Sequence, residues 1–129
     1  MDTWHFRIPY PLPTLNEWER MHFWTKKDYK RNLAQEVKLG LRAAGWRFSR
    51  PPLRRCAITV ERCSVGSPDP DNVIAKPLLD VLQPPSKRHP LGLNVIADDS
   101  AEVIVKLKVF GVKIKRDKQC TLVTIEEKS

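Results

Sequence analysis

Two acidic stretches and one lysine have the types and spacing to do chemistry together. Asp69 and Asp71 are two apart in Ser67-Pro-Asp-Pro-Asp-Asn72, and Lys76 follows, entering a short apolar run that ends at Leu82. In extended backbone, residues two apart point to the same side, so both carboxylates can converge on one point. A second pair, Asp98-Asp99, follows an apolar approach of Leu93, Val95 and Ile96. Magnesium takes few protein carboxylates, keeps several waters and accepts phosphate oxygens as its remaining ligands. Asp69, Asp71 and one of Asp98 or Asp99 would supply a suitable oxygen set. A cation held there could lower the pKa of a bound water and stabilise both attacking and leaving oxygens at phosphorus. Lys76 could offset the mutual repulsion of the carboxylates, stabilise the developing charge or orient the water.

Other readings of the Asp-x-Asp spacing are weaker. A calcium loop needs an oxygen donor at Val73 and a glycine at Ile74, and this chain has neither. Pro-Asp-Pro-Asp-Asn could also be only a turn and helix cap, places that Asp and Asn favour. The second acidic pair tips the balance toward a metal site.

The surrounding pattern supplies the elements that must position these groups. Cys56, Ile58 and Val60 alternate with Ala57, Thr59 and Glu61, which predicts a strand running into the acidic motif. Pro77 to Leu82 reads as a short helix ended by Pro84-Pro85, with its start near Val73 or Ile74 because Pro77 suits a first turn. Ser86 to Gly92 is a polar, basic loop, and the whole 83–95 connection is long for a compact domain. Glu102 to Val109 alternates again, with Val103, Val105, Leu107 and Val109 on one face, and predicts a strand. Gly111 to Lys118 reads as a basic turn and Cys120 to Ile125 as a last strand.

Upstream, Trp4, Phe6 and Ile8 alternate in a first strand that Pro9, Pro11 and Pro13 end. Tyr29, Leu33, Val37 and Leu41 recur every four residues, one face of an amphipathic helix. Thr25 with Asp28 resembles a capping box at its start, and Gly45 fits its end. The opposite face carries Lys26, Lys27, Lys30, Arg31, Lys38 and Arg42, a solvated face or a phosphate-contacting surface. Aromatics between Trp18 and Trp24 could stack on bases, although packing in a core or interface is the more ordinary use. The order β-α-β-α-β-β predicts one α+β domain over residues 1–129. It would comprise a small mixed sheet of about four strands with two helices packed on it.

Composition limits the function class. A hydrophobic fraction of 41% and a charged fraction of 29% fit a soluble globular chain. No apolar run approaches the roughly 20 residues of a membrane span, and the N-terminus lacks a signal pattern, so a cytoplasmic location is expected. Cys56, Cys63 and Cys120 lack metal or disulfide spacing and read as reduced thiols in or near strands. The net charge of +8 fits an anionic polymer as partner, the more so because the basic excess lies in both flanks of a charge-balanced centre.

Taken together, Asp-x-Asp-Asn, Lys-x-x-x-Asp-x-Leu (Lys76, Asp80, Leu82) and Ile-Ala-Asp-Asp-Ser100 before a strand resemble the RusA family of Holliday junction resolvases. The short first strand, Pro9-Tyr-Pro-Leu-Pro-Thr14 and Asn16 are similar too, so the resemblance covers roughly residues 4–126. It implies a homodimeric endonuclease, dependent on magnesium or manganese, that resolves four-way DNA junctions by paired symmetric incisions in recombination and repair. By motif match, Asp69, Asp71 and Asp99 correspond to the metal-binding aspartates and Lys76 to the catalytic lysine, with Asp98 adjacent as a further candidate ligand. Lys26, Lys27, Lys30, Arg31, Lys87 and Arg88 are the candidate DNA contacts. Two departures stand out: three residues rather than two separate Asn72 from Lys76, and the 83–95 connection is longer than usual. Lys76 is nevertheless expected beside Asp69 or Asp71.

Overall fold

The computed structural model describes residues 1–66 and 68–129; Ser67, first of the acidic stretch, lies outside them. Along β1 (Thr3–Ile8) Trp4, Phe6 and Ile8 are buried and their neighbours exposed, as period-two alternation requires. β2 (Cys56–Ser64), β3 (Ile104–Lys113) and β4 (Cys120–Glu127) complete one mixed sheet in the order β1-β4-β2-β3. β4 runs antiparallel to both β1 and β2, whereas β3 is parallel to β2 on the outer edge. A parallel neighbour needs a crossover of a dozen or more residues. The segment between β2 and β3 provides it, and it carries every acidic candidate together with Lys76, Lys87 and Arg88. Topology alone therefore gathers the sequence candidates on one excursion of the chain.

One face of the sheet is covered. The registers Phe6↔Val123 and Val60↔Val123 put these side chains in one apolar layer. Against it packs α2 (Phe23–Ala43) through Leu33, Val37 and Leu41. Gly40 permits the close approach, since a Cβ there would come within 2.9 Å of Phe6. The helix ends as its sequence predicts: Gly45, at φ 95°, donates to the Arg42 carbonyl and Trp46 to that of Leu41. α3 (Lys76–Leu82) adds Leu78, Val81 and Leu82 to the same core. Cys56, Cys63 and Cys120 are buried free thiols within strands.

The α+β class, the four strands and the two main helices agree with the sequence reading. Several local expectations do not. The capping box lies at Thr14 and Glu17, opening an additional short helix, α1 (Leu15–Arg20), where the Thr14 hydroxyl accepts from the Glu17 N–H. α2 starts before Thr25, capped by His22, so Thr25 and Asp28 already lie within its first turns. α3 starts at Lys76 with Ala75 as its cap, two or three residues later than Pro77 suggested. β3 begins at Ile104 and runs on to Lys113, because Phe110–Lys113 continue the ladder with Glu61–Ser64 in place of a turn. β4 likewise extends to Glu127. Val105 and Leu107 are exposed, for β3 is an edge strand that the helices only partly cover.

Candidate functional site

β2 delivers the chain into the acidic stretch, where Pro70–Asn72 form a 3-10 turn. Its closing bond runs from the Asn72 N–H to the Asp69 carbonyl at 2.8 Å. The convergence of Asp69 and Asp71 assumed extended backbone, but Asp71 sits inside this tight turn, where residues two apart do not share a side. Both aspartates are exposed. The turn docks on α1: Asn72 Oδ1 accepts from the Asn16 N–H at 3.0 Å, and Thr14 bridges Val73. Asn16 therefore steadies the acidic turn, a part its sequence position alone did not disclose.

The second acidic pair arrives on a more firmly tied segment. Val95 N–H donates to the Leu82 carbonyl at 2.9 Å, Leu53 N–H to Val95 at 2.8 Å and Ala97 N–H to Leu53 at 2.9 Å. Asp98 and Asp99 follow, both exposed. Asp99 borders a hollow of about 380 Å³ with Ile74, Lys76, Asp80, Leu107 and Val109. Asp99 and Lys76 thus meet at one site, whereas Asp69, Asp71 and Asp98 do not line it.

The direct partner of Lys76 is a residue other than Asp69 or Asp71. The lysine side chain is largely exposed, and its ammonium pairs with Asp80 Oδ1 at 3.7 Å, one turn along α3. No ion pair links it to Asp69 or Asp71 within 4.0 Å among the described residues. The other Asp80 oxygen lies 3.0 Å from the Lys30 ammonium of α2, and the Asp80 side chain is only 5% exposed. Asp80 is the residue that the sequence reading left without a role. A single carboxylate in the apolar run Pro77–Leu82, four residues after a lysine, was its signal.

Among the described residues, no three His, Cys, Asp or Glu side chains are grouped closely enough to hold a metal ion. Val73, directly after the acidic turn, nevertheless borders the same hollow as Asp99, and a Cβ on Gly111 of β3 would touch it. The donors suit magnesium in kind, being hard carboxylate oxygens open to solvent. They come from two stretches of the connection between β2 and β3.

Beside the hollow, across Asp80, lies a groove of about 520 Å³ between α2 and the long connection after α3. Its walls carry Lys26, Lys27, Lys30 and Arg31 on one side and Lys87 and Arg88 on the other, so all six predicted DNA contacts face one cavity. They are not equally free. Lys30 is held by Asp80, and Arg31 pairs with Asp28 at 3.1 Å. Lys26 and Lys27 lie over the rings of Trp18 and Trp24, at 5.2 and 5.4 Å from the ring centroids. Trp18 is buried beneath α2 with Tyr29 and Tyr10, whose hydroxyls are enclosed without partners. Burial raises both phenol pKa values above the usual, keeping them neutral.

No helix among the described residues is long and apolar enough to cross a membrane. Compared with models of protein families and with curated proteins, the chain finds no match in either set.

Proposed function

We propose that this protein is an endodeoxyribonuclease of the RusA type, cutting phosphodiesters in branched DNA with a divalent cation. The observation that carries the reading is the adjacency of two features: a groove lined by six cationic side chains, and a hollow where Asp99 and Lys76 meet. A nuclease needs that pairing, a cationic track for the backbone beside carboxylates that can hold a metal. Asp69, Asp71 and Asp99 would hold magnesium or manganese, with Asp98 as an adjacent donor. Bound there, the ion would activate water and stabilise charge at phosphorus. Lys76, exposed at the rim and paired with Asp80 at 3.7 Å, would orient a phosphate or water, while Lys26, Lys27, Lys87 and Arg88 would hold the backbone. Two opposed cuts in a four-way junction need two such sites, and one chain carries one, so the active form would be a homodimer.

A second reading has a specific observation in its favour. Among the described residues no three acidic side chains group closely enough for a metal, and Lys76 is paired with Asp80. Such a protein would bind branched DNA with little or no cleavage. One experiment separates the readings: purified protein is incubated with four-way, three-way and linear DNA, with and without magnesium. Paired, magnesium-dependent cuts in the four-way junction, lost in Asp71→Asn while binding persists, support the nuclease. Tight junction binding with no cutting in any metal supports the binding module. Absence of binding to every DNA form overturns both.

A further inference from the structure

The basic groove has a feature that phosphate binding does not use. Phe23 and Trp24, at the start of α2, are among the most exposed large apolar side chains of the protein, at 66% and 61%. Their rings pack edge to face at 5.3 Å, so they support each other rather than a core. Phe23 lines the groove together with Lys26, Lys27, Lys87 and Arg88, and Lys27 lies over the Trp24 ring. The cations close behind them are held in place: Lys26 and Lys30 sit over buried Trp18 at 5.2 and 5.8 Å. Two solvent-facing aromatic rings flanked by anchored cations match the two chemical parts of a nucleotide, a flat base and a phosphate. Water is a poor solvent for such rings, and nothing within the described chain covers them.

We propose that Phe23 and Trp24 form a stacking site for an unpaired nucleobase, making the groove a sensor of strand separation. A paired duplex keeps the faces of its bases against each other, so it offers this site only phosphates. A forked end, a bulge or an open branch point offers an exposed base face as well. This deepens the branched-DNA reading and rests on it, because it assigns the discrimination between branched and linear DNA to two named side chains.

The test uses the full chain and fluorescein-labelled DNA of equal length: a paired duplex, a forked duplex with unpaired arms and a thymine single strand. Stacking on an aromatic side chain shifts affinity roughly 5- to 150-fold per base, so Phe23→Ala and Trp24→Ala should each weaken forked and single-stranded binding by a factor in that range. Duplex affinity should stay within about twofold, since phosphate contacts carry no information about base faces. Trp24→Phe should restore most of the loss. Fluorescence gives an independent signature. Of the four tryptophans, Trp4, Trp18 and Trp46 are buried and only Trp24 is exposed, so the single strand should quench one surface component that Trp24→Phe lacks. Equal losses on all three DNAs, or none, would overturn the stacking site and leave the nuclease reading standing. Conversion of a parental dimer to monomer by Trp24→Ala would also overturn it, marking the rings as a subunit contact. A parent that binds no DNA of any form refutes the underlying reading itself.

Discussion

Replacing Lys30 by methionine should destabilise the protein far more than its place on a solvated, cationic helix face suggests. Asp80 keeps only 5% of its side chain exposed, and Lys30, at 3.0 Å, is its closer and less exposed partner. Methionine keeps most of the stem's packing but leaves the carboxylate with Lys76 alone, at 3.7 Å and 67% exposed. Breaking a buried ion pair by removing one partner costs about 3–5 kcal/mol, because the remaining charge is stranded away from water. The surviving Lys76 contact, being exposed, returns about 1 kcal/mol or less. The net loss is then about 2–4 kcal/mol. For a chain of this size each kcal/mol moves the melting midpoint by roughly 3–5 °C, so Lys30→Met should melt at least about 6 °C lower.

Thermal and urea unfolding, followed by circular dichroism, would check this. The control is the double variant Lys30→Met/Asp80→Asn, in which the stranded charge is removed. It should be more stable than the sum of the single variants implies, by about 1 kcal/mol or more. A Lys30→Met protein melting within about 2 °C of the parent would refute the reasoning, and with it the assignment of Asp80 as a buried anchor between α3 and α2.

Three further outcomes follow. Lys76→Ala should leave the melting midpoint within about 2 °C of the parent, because its ammonium is largely exposed and Asp80 keeps Lys30, and should abolish junction cutting; normal cutting by this variant removes Lys76 from the chemistry. DNA affinity should fall steeply with salt: if Lys26, Lys27, Lys87 and Arg88 each meet one phosphate, log-log titration gives a slope of about −3 to −4, and a flat response counts against the groove. Burial raises the Cys56 thiol to about 11, and burial with the neighbouring Cys120 does the same for Cys63. Both then stay protonated in the native state and resist alkylation at pH 8, and the stability they lend is full below about pH 9 and lost as pH rises through about 11; rapid labelling of the folded protein at pH 8 would contradict this.

How much of this was legible beforehand depends on the range of the interaction. Alternation at Trp4, Phe6 and Ile8, and at Cys56, Ile58 and Val60, disclosed strands because burial on one face is a local constraint with a fixed period. The four-residue recurrence from Tyr29 to Leu41 disclosed α2 for the same reason. The capping box is written locally too, in Thr14-Leu-Asn-Glu17, but Thr25 and Asp28 carry a similar spacing at the start of the longer helix and compete with it as a signal. What could not be read was anything joining distant segments. Lys30 and Asp80 are fifty positions apart in sequence, and nothing local to either residue announces their contact. The length of β3 was hidden similarly, because Phe110–Lys113 are strand only by pairing with β2.

The same distinction bears on the acidic site. Spacing showed that Asp69 and Asp71 could act together, but their convergence depended on extended backbone, and the prolines on either side of Asp69 favour the turn that forms. The two acidic segments differ in how firmly they are held. Asp98-Asp99 follows a stretch tied by backbone bonds to Leu53 and Leu82, both fully or almost fully buried. Among the described residues the acidic turn is held by its own backbone bonds, by the Asn72 side-chain acceptor and by an isolated bridge at Val73. Lys76 lies between the two segments in sequence, at the start of α3, and Asp80 ties that helix to the wall of the cationic groove. Asp80 thus supports the candidate site from beneath: a buried charge whose partners fix where Lys30 and Lys76 stand, while Asp69, Asp71, Asp98 and Asp99 stay exposed to solvent.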